Sequence, residues 1–232
     1  MKLSQRLNAI KEYLPRGVVV ADIGADRGEL SLCLLKEGIA QKVILADISE
    51  KSLSRAKEFF AEEKEVERAE FRVGDGLSVL APKEADYAVF AGMGGLTICE
   101  ILSDRPGVTA ALRGLVIQAM GNSDKVRALI NSMGFRIAGE TMILEEGQYY
   151  IIIHAVPGEQ VLSPTDIFAG PCLLARRDPL LRAYLKEEKV RAQAILIRLK
   201  KKGKGRFRQE ELNVYLKQIE IAKRRMEEYM CF

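Results

Sequence analysis

Four aspartates stand where predicted strands end, and they are the residues of this sequence best placed to hold a ligand. The stretch VVVADIGADRGELSLCLL near the start places Asp22 and Asp26 on either side of Gly24. Asp47 ends the apolar run KVILAD, and Asp75 lies in VGDGL. Because the carboxyl ends of parallel strands meet at one edge of a sheet, we expect these acids to line a common cleft.

A phosphate-bearing nucleotide fits this cleft poorly. The turn GADRG, from Gly24 to Gly28, lacks the G-x-G-x-x-G spacing of dinucleotide sites, and the sequence contains no G-x-x-x-x-G-K-[ST] loop. The carboxylates of Asp22 and Asp26 would also repel a diphosphate held at close range. Both observations favour a ligand that carries positive charge and no phosphate.

S-adenosyl-L-methionine is such a ligand, because acids attract its sulfonium and ammonium groups. Its carboxylate is small enough for the backbone amides of the glycine turn, Asp47 can accept the ribose hydroxyls, and Asp75 is placed to meet the adenine amino group. Taken singly, each of these residues could serve only to form a turn. The predicted cofactor-binding residues are Asp22, Gly24, Ala25, Asp26, Gly28, Asp47, Ile48, Gly74, Asp75, Gly76, Gly92, Met93 and Gly94.

A parallel sheet must bring these residues together, and the apolar pattern predicts one. Strand-like runs alternate with helices of about ten residues, which is typical of a doubly wound α/β fold. The predicted strands cover residues 18–23, 42–47, 70–73, 86–91 and 114–118. Two further runs, 135–144 and 148–156, are separated by only three residues, so they must form an antiparallel hairpin. The prediction is a mostly parallel seven-stranded sheet that ends in this hairpin.

The C-terminal part differs from the rest in charge. Residues 176–232 contain 17 lysines and arginines against 8 acids, a net charge of +9, while the whole chain carries +4 and residues 1–175 therefore −5. Helical periodicity on both sides of the basic loop KKKGKGRFR predicts an α-helical hairpin. We predict a ligand-binding domain over residues 1–158, a Gly/Pro/Ser-bearing link over 157–171, and a basic helical extension over 159–232. Such an asymmetry favours a polyanionic partner, with a merely solvated lysine-rich surface as the alternative.

Other chemistries have little support. His154, the single histidine, lies in an apolar strand, so we expect a packed strand residue and no metal site. The four cysteines lie far apart without a CxxC pair, which favours reduced thiols. No apolar run reaches the ~18 residues of a membrane span, and we expect a cytoplasmic protein without membrane contact.

Several motifs together resemble the bacterial tRNA (adenine-22-N1)-methyltransferase family, which has the class I methyltransferase fold. They are AGMGG at residues 91–95, the LSQRL start, DGL at 75–77, and Gln118 after the fifth strand. The resemblance covers nearly the whole chain, including the helical extension. The chain departs from the family pattern at Arg27, where a histidine is typical, at Ser31, where a proline is typical, and at Ala119-Met120, where the family has Pro-Asn.

The resemblance implies S-adenosyl-L-methionine as cofactor, methyl transfer to N1 of an adenine, and tRNA as partner. Asp26 is the candidate catalytic carboxylate near the transferring methyl or the charged base; a second contact to the cofactor ammonium is the alternative. The candidate substrate-binding residues are Arg27, Gly95, Gln118, Asn122, Arg206, Phe207 and Arg208. Phe207 could stack on a base or pack on the partner helix. Methylation of another RNA base or substrate, and RNA binding without catalysis, remain alternative functions.

Overall fold

The structure is a computed structural model that describes residues 3–201 and 205–227, except for the side chain of Arg206. It forms two compact units, Met1–Gln160 and Val161–Phe232. The first unit is built on one seven-stranded sheet with the order β3-β2-β1-β4-β5-β7-β6. The strands are β1 (Val18–Ile23), β2 (Ala40–Asp47), β3 (Ala69–Val73), β4 (Tyr87–Met93), β5 (Gly114–Ala119), β6 (Phe135–Glu145) and β7 (Gln148–Pro157).

The sheet has the predicted mixture of directions. Strands β1 to β5 are mutually parallel where they pair, whereas β7 pairs antiparallel with both β5 and β6. The strand order reverses between β1 and β4, which lie side by side: Ile23 pairs with Ala46 of β2 and with Phe90 of β4. Ligands of doubly wound sheets bind at the carboxyl ends of the strands where the order reverses. The topology therefore puts the GADRG turn at the expected binding edge.

Six α-helices in the described part of the first unit cover the faces of the sheet and connect its strands. They are α1 (Gln5–Lys11), α2 (Glu29–Lys36), α3 (Glu50–Glu62), α4 (Gly95–Asp104), α5 (Pro106–Ala111) and α6 (Ser123–Ser132). Two short 3₁₀ helices, Val66–Arg68 and Gly76–Val79, flank β3. The central strands are almost wholly buried, as continuous runs of Val, Ile, Leu and Ala require in a sheet covered on both faces.

The antiparallel hairpin packs on the first helical segment and completes the core. His154 of β7 lies between the rings of Tyr13 and Tyr87, with centroids 5.1 and 6.2 Å away. Helix α6 is tied to β6 by a fully buried ion pair between Arg127 and Glu140, whose atoms are 2.7 Å apart. His154 is thus packed between two aromatic rings within the sheet, in the position expected of a strand residue.

The second unit is entirely helical where the structure describes it. Its helices are α7 (Pro164–Ala169), α8 (Pro171–Ala175), α9 (Pro179–Lys201) and α10 (Arg206–Glu227). The two long helices pack through a small apolar cluster around Ala192, Leu196 and Leu212. The Gly/Pro/Ser-bearing link predicted over residues 157–171 contains a helix, because Ser163 and Asp166 form a capping box and Pro164 starts α7.

The described residues contain neither a membrane-spanning helix nor a metal-binding cluster. Among residues 3–201 and 205–227, no helix is both long and apolar enough to span a membrane. Within the same residues, no group of three or more His, Cys, Asp or Glu side chains is arranged to hold a metal ion.

Candidate cofactor and substrate site

A cleft of about 310 Å³ opens at the carboxyl ends of β1 and β4. Its volume lies in the range of small-molecule sites. Seven of the residues predicted from the sequence line it together: Asp22, Gly24, Ala25, Asp26, Arg27, Gly28 and Gly92. Arg6 and Leu7 of α1 complete one wall, although the sequence reasoning assigned them no role.

Backbone conformation favours glycine at two positions of the turn, and close packing requires it at the second. Gly24 has φ +73°, and a Cβ there would lie 3.0 Å from Cε of Met93. Gly28 has φ +70°, and its Cβ would lie 2.5 Å from Leu45 and 3.0 Å from Phe60. Because φ above zero strains other residues, both positions favour glycine. At Gly28 the buried side chains of Leu45 and Phe60 also leave no room for a Cβ, so the turn lies directly on the core.

The amides of this turn are already used within the protein. The N–H groups of Gly24 and Ala25 both donate to the carbonyl of Ala46, over 2.8 and 3.2 Å, and Asp26 N–H donates to Oδ2 of Asp47 over 3.1 Å. The expectation that turn amides hold a ligand carboxylate is wrong for these three groups. The chain folds back over the end of β2 after Ile23, so its amides face β2 instead of the cleft.

Asp22 is a buried carboxylate whose ionisation the environment opposes. Its side chain accepts a hydrogen bond from Ser31 Oγ over 2.7 Å, and only 3% of the residue is exposed. Burial raises the pKa of Asp22 to about 6; the Ser31 hydrogen bond opposes this shift, and the charge of Asp47 adds to it. In the sequence Ser31 differs from the family's typical proline, and its hydrogen bond to Asp22 gives this difference a role in the site.

The carboxylate of Asp47, at the end of β2, is held in place by two backbone N–H groups. One carboxylate oxygen accepts the Asp26 N–H and the other accepts the Ser49 N–H over 2.8 Å, while the residue stays half-buried. Each oxygen keeps a further lone pair, so this carboxylate can still accept hydroxyl groups. The next residue, Ile48, is 75% exposed and offers an apolar surface at the same edge.

The loop after β3 places Asp75 at the surface between two constrained glycines. A Cβ at Gly74 would lie 2.4 Å from Val79, and one at Gly76, where φ is +52°, would lie 2.5 Å from Ile101. Asp75 is exposed, and its side chain does not cap the following 3₁₀ helix. Together with Thr97 and Glu100, Asp75 lines a second pocket near the start of α4.

The loop after β4 presents backbone at the opening of the cleft. Gly92 and Gly94 are exposed, and Gly92 has φ +84°. Gly95 is buried, and a Cβ there would lie 2.4 Å from the carbonyl oxygen of Gly121. This close approach joins the loop to the segment after β5, where Asn122 is exposed with φ +54°.

The buried position of Gln118 does not agree with the expectation that its side chain contacts a substrate base directly. Its side chain is fully buried, its Oε1 accepts a hydrogen bond from Arg6 Nη1 over 2.8 Å, and its Nε2 lies 3.4 Å from Met120 Sδ. In this arrangement Arg6 stands between Gln118 and the cleft. No motif in the sequence pairs an N-terminal arginine with a residue 112 positions later, so this contact needed the structure.

The other predicted substrate residues lie on the surface. Arg27 is at the mouth of the cleft and pairs with Glu29 over 2.7 Å. Phe207, at the start of α10, is 75% exposed, and Arg208 pairs with Glu211 over 3.1 Å. Phe207 is therefore free of the packing that was its alternative role, while the side chain of Arg206 lies outside the described residues.

The residues present suit S-adenosyl-L-methionine better than a nucleotide phosphate. Gly24 lines the cleft without a side chain, and buried Asp22 offers a carboxylate to a cation. Asp47 provides oxygen acceptors and Ile48 an apolar surface beside them. The ends of β1 and β2 thus each provide a carboxylate, as an adenosine with a cationic tail requires.

The chain belongs to a family of methyltransferases: the family model described as "Methyltransferase domain" matches residues 3–153. A curated relative, the tRNA (adenine(22)-N(1))-methyltransferase of Bacillus subtilis (strain 168), is 24% identical over 229 residues, which cover 96% of each chain.

Solved structures have the same fold across both units. TrmK of M. capricolum, solved with S-adenosyl-homocysteine, gives a TM-score of 0.87 at 22% identity and covers 97% of this chain and 100% of its own. A Streptococcus pneumoniae protein solved in complex with S-adenosyl-L-methionine gives 0.86 at 23% identity and covers 95% and 99%. At these identities the comparison establishes the fold.

Proposed function

We propose that the protein transfers a methyl group from S-adenosyl-L-methionine to N1 of adenine 22 in tRNA. The observation that carries the proposal is the extent of the similarity to the Bacillus subtilis enzyme, which spans 96% of both chains and so includes the basic helical unit. A methyltransferase domain that acted on a small molecule would have no use for an extension with a net charge of +9.

Residues of the cleft and of the neighbouring strand ends hold the cofactor, which supplies a methyl group on a cationic sulfonium. Asp22 offers its charge to the ammonium group, and Asp47 accepts the ribose hydroxyls. Ile48 and the loop around Asp75 hold the adenine by apolar contact and hydrogen bonding. Gly24, which lines the cleft without a side chain, leaves space for the ligand.

Catalysis rests mainly on orientation and on the local field, because N1 of adenine carries a free lone pair and needs no general base. Orientation alone contributes up to ~7–11 kcal/mol in well-aligned reactions. Asp26 has an exposed carboxylate at the mouth of the cleft, with its backbone fixed by Asp47. We assign to Asp26 the stabilisation of the positive charge that develops on the methylated base.

The target adenine must leave the folded RNA to reach the cleft, which costs a few kcal/mol. The exposed backbone of Gly92 and Gly94 gives the extruded base a flat surface, and Asn122 lies beside it. The basic helices of the second unit bind the RNA backbone, and Phe207 offers an exposed ring for base stacking.

Methyl transfer to bulk tRNA tests this function. The purified protein is incubated with labelled S-adenosyl-L-methionine and total bacterial tRNA, and the nucleosides are analysed by mass spectrometry. We expect 1-methyladenosine, and we expect it to disappear when the tRNA carries guanine at position 22. Another methylated nucleoside would keep the methyltransferase function and overturn the assigned base; no product despite cofactor binding would overturn the catalytic proposal.

A further inference from the structure

Arg6 is held at the edge of the cleft by contacts on two sides. Its Nη1 donates to Oε1 of buried Gln118 over 2.8 Å, and its guanidinium carbon lies 5.8 Å from the ring centre of Tyr150. The same Nη1 is 3.2 Å from the position that a Cβ would take at Gly92. The start of α1 is fixed as well, since Gln5 N–H donates to a carboxylate oxygen of Glu145 over 2.7 Å. The guanidinium is therefore oriented before any ligand arrives.

The charge of Arg6 has no carboxylate partner in the described part of the chain. Its one side-chain hydrogen bond goes to the neutral amide of Gln118. Arg27, the other arginine of the cleft, is paired with Glu29 over 2.7 Å, and its side chain is 62% exposed. A cation beside Asp22 and Asp26 without an ion pair indicates a ligand that brings both signs of charge.

The amino-acid end of S-adenosyl-L-methionine is such a zwitterion, and its carboxylate needs a donor. The N–H groups of Gly24, Ala25 and Asp26 are taken by Ala46 and Asp47, so these three amides do not supply the donor. We infer that Arg6 binds the carboxylate of the cofactor and that Gln118 is a positioning residue for Arg6. This inference rests on the proposed function. It assigns to Arg6 the donor role that the three turn amides do not fill.

A contact between Arg6 and the target base is less compatible with the chemistry. The methylated adenine carries positive charge, and a guanidinium beside it would oppose the reaction through repulsion of like charges. A carboxylate, in contrast, accepts two parallel hydrogen bonds from the planar guanidinium. The Nη1 bond to Gln118 leaves four of the five N–H donors of Arg6 for that purpose.

Decarboxylated S-adenosylmethionine provides the matching ligand, because it keeps the sulfonium and the ammonium and lacks only the carboxylate. Binding of both ligands is measured by calorimetry on the full chain and on Arg6→Met. We expect the variant to bind S-adenosyl-L-methionine about 10- to 100-fold more weakly, as loss of a charged hydrogen bond predicts, and to bind the decarboxylated ligand within about twofold of the wild type. Arg113→Met, which removes an exposed arginine just before β5, should change neither affinity.

Variants of the neighbouring side chain test the positioning role. Gln118→Leu leaves the charge of Arg6 in place and removes its hydrogen bond, so we expect a loss of about 3- to 10-fold for S-adenosyl-L-methionine alone. Arg6→Lys should fall between the wild type and Arg6→Met, because lysine keeps the charge without the fork. The double variant Arg6→Met, Gln118→Leu should bind no more weakly than Arg6→Met, since Gln118 acts through Arg6.

Three other outcomes would each overturn the inference for a different reason. An equal loss for both ligands in Arg6→Met and Arg6→Lys, with circular dichroism unchanged, would overturn the carboxylate contact and leave Arg6 a structural role. Unchanged cofactor affinity with weakened tRNA binding would overturn it in favour of an RNA contact. A wild-type protein that binds neither ligand would overturn the proposed function itself, and this inference with it.

Discussion

Asp22 is the residue at which cofactor binding should depend on pH. Burial raises the pKa of this carboxyl to about 6, so the ligand-free protein takes up a proton there as the pH falls below 6. A protonated Asp22 offers no charge to the cofactor ammonium. We therefore expect affinity for S-adenosyl-L-methionine to be constant above about pH 7 and to fall by up to about tenfold per pH unit below 6.

Calorimetry between pH 5 and 8 measures this dependence, and Asp22→Asn is the control. The amide cannot ionise but can still accept a hydrogen bond from Ser31, so the variant should bind the cofactor more weakly and without the pH dependence. Constant wild-type affinity down to pH 5 would show that the charge of Asp22 does not contact the cation.

At the scale of residues, the sequence predicted the members of the site better than their roles. Asp22, Asp26 and Gly24 line the cleft as predicted, because acids and glycines at strand ends have few other uses together. Asp47 and Asp75 were expected in the same cleft and do not line it. The pairing of Arg6 with Gln118 could not be predicted, because it depends on how α1 lies across the end of β5. The use of the turn amides by Ala46 depends likewise on a backbone path that residue types do not encode.

At the scale of elements, the strands were predictable because their apolar runs are continuous and their turns are short. Only the ends differ, since β2 begins at residue 40 and β4 continues to Met93. The short helices α5, α7 and α8 were missed, because five or six residues carry too little periodicity to distinguish a helix from a loop. The sequence signal for these helices is a proline in the first turn of each: Pro106, Pro164 and Pro171.

Breaking the buried ion pair between α6 and β6 should destabilise the protein, because one buried charge would be left without its partner. Arg127 and Glu140 are both fully buried. Glu140→Met leaves the guanidinium without its carboxylate, and we expect the free energy of unfolding to drop by about 3–5 kcal/mol. Arg127→Met combined with Glu140→Met should recover most of this loss. Urea denaturation measures both, and equal losses in the single and double variants would contradict the argument.

The stacking of His154 between two tyrosines should make the hairpin sensitive to acid. Burial, and to a lesser degree the charge of Arg136, lowers the pKa of His154 below its usual 6.5. The unfolded chain then binds a proton that the folded protein binds poorly, so stability should fall as the pH decreases from about 7 to 5. We expect His154→Phe to remove this part of the pH dependence while keeping the ring packed.

Denaturant titrations of both proteins at pH 5.5 and 7.5 provide the comparison. The wild type should lose more stability than His154→Phe between these two values. If the wild type and His154→Phe lost the same amount of stability, other groups would cause the acid sensitivity. Buried Asp22 is not one of these groups. Its raised pKa makes the folded state bind a proton more readily, and this favours folding as the pH falls.

At the scale of the whole molecule, charge separates the two units more clearly than any motif. Residues 1–175 carry −5 and residues 176–232 carry +9, so a polyanion is attracted to the second and repelled by much of the first. The last turn of α9 concentrates this charge in Arg198, Lys200 and Lys201, all exposed. This charge difference agrees with the proposed function, since a basic unit attracts RNA and acidic side chains attract a cationic cofactor.

Charge reversal in the full chain tests that division. Arg198→Glu with Lys201→Glu should weaken tRNA binding at least tenfold at low salt and reduce the slope of log affinity against log salt by about 1 to 2, because about two phosphate contacts are lost. Affinity for S-adenosyl-L-methionine should not change. Lys57→Glu with Lys83→Glu makes the same change in net charge on exposed residues of the first unit and should affect tRNA binding much less. If the two pairs weakened tRNA binding equally, net charge alone would account for RNA binding, and the second unit would not be the RNA-binding element.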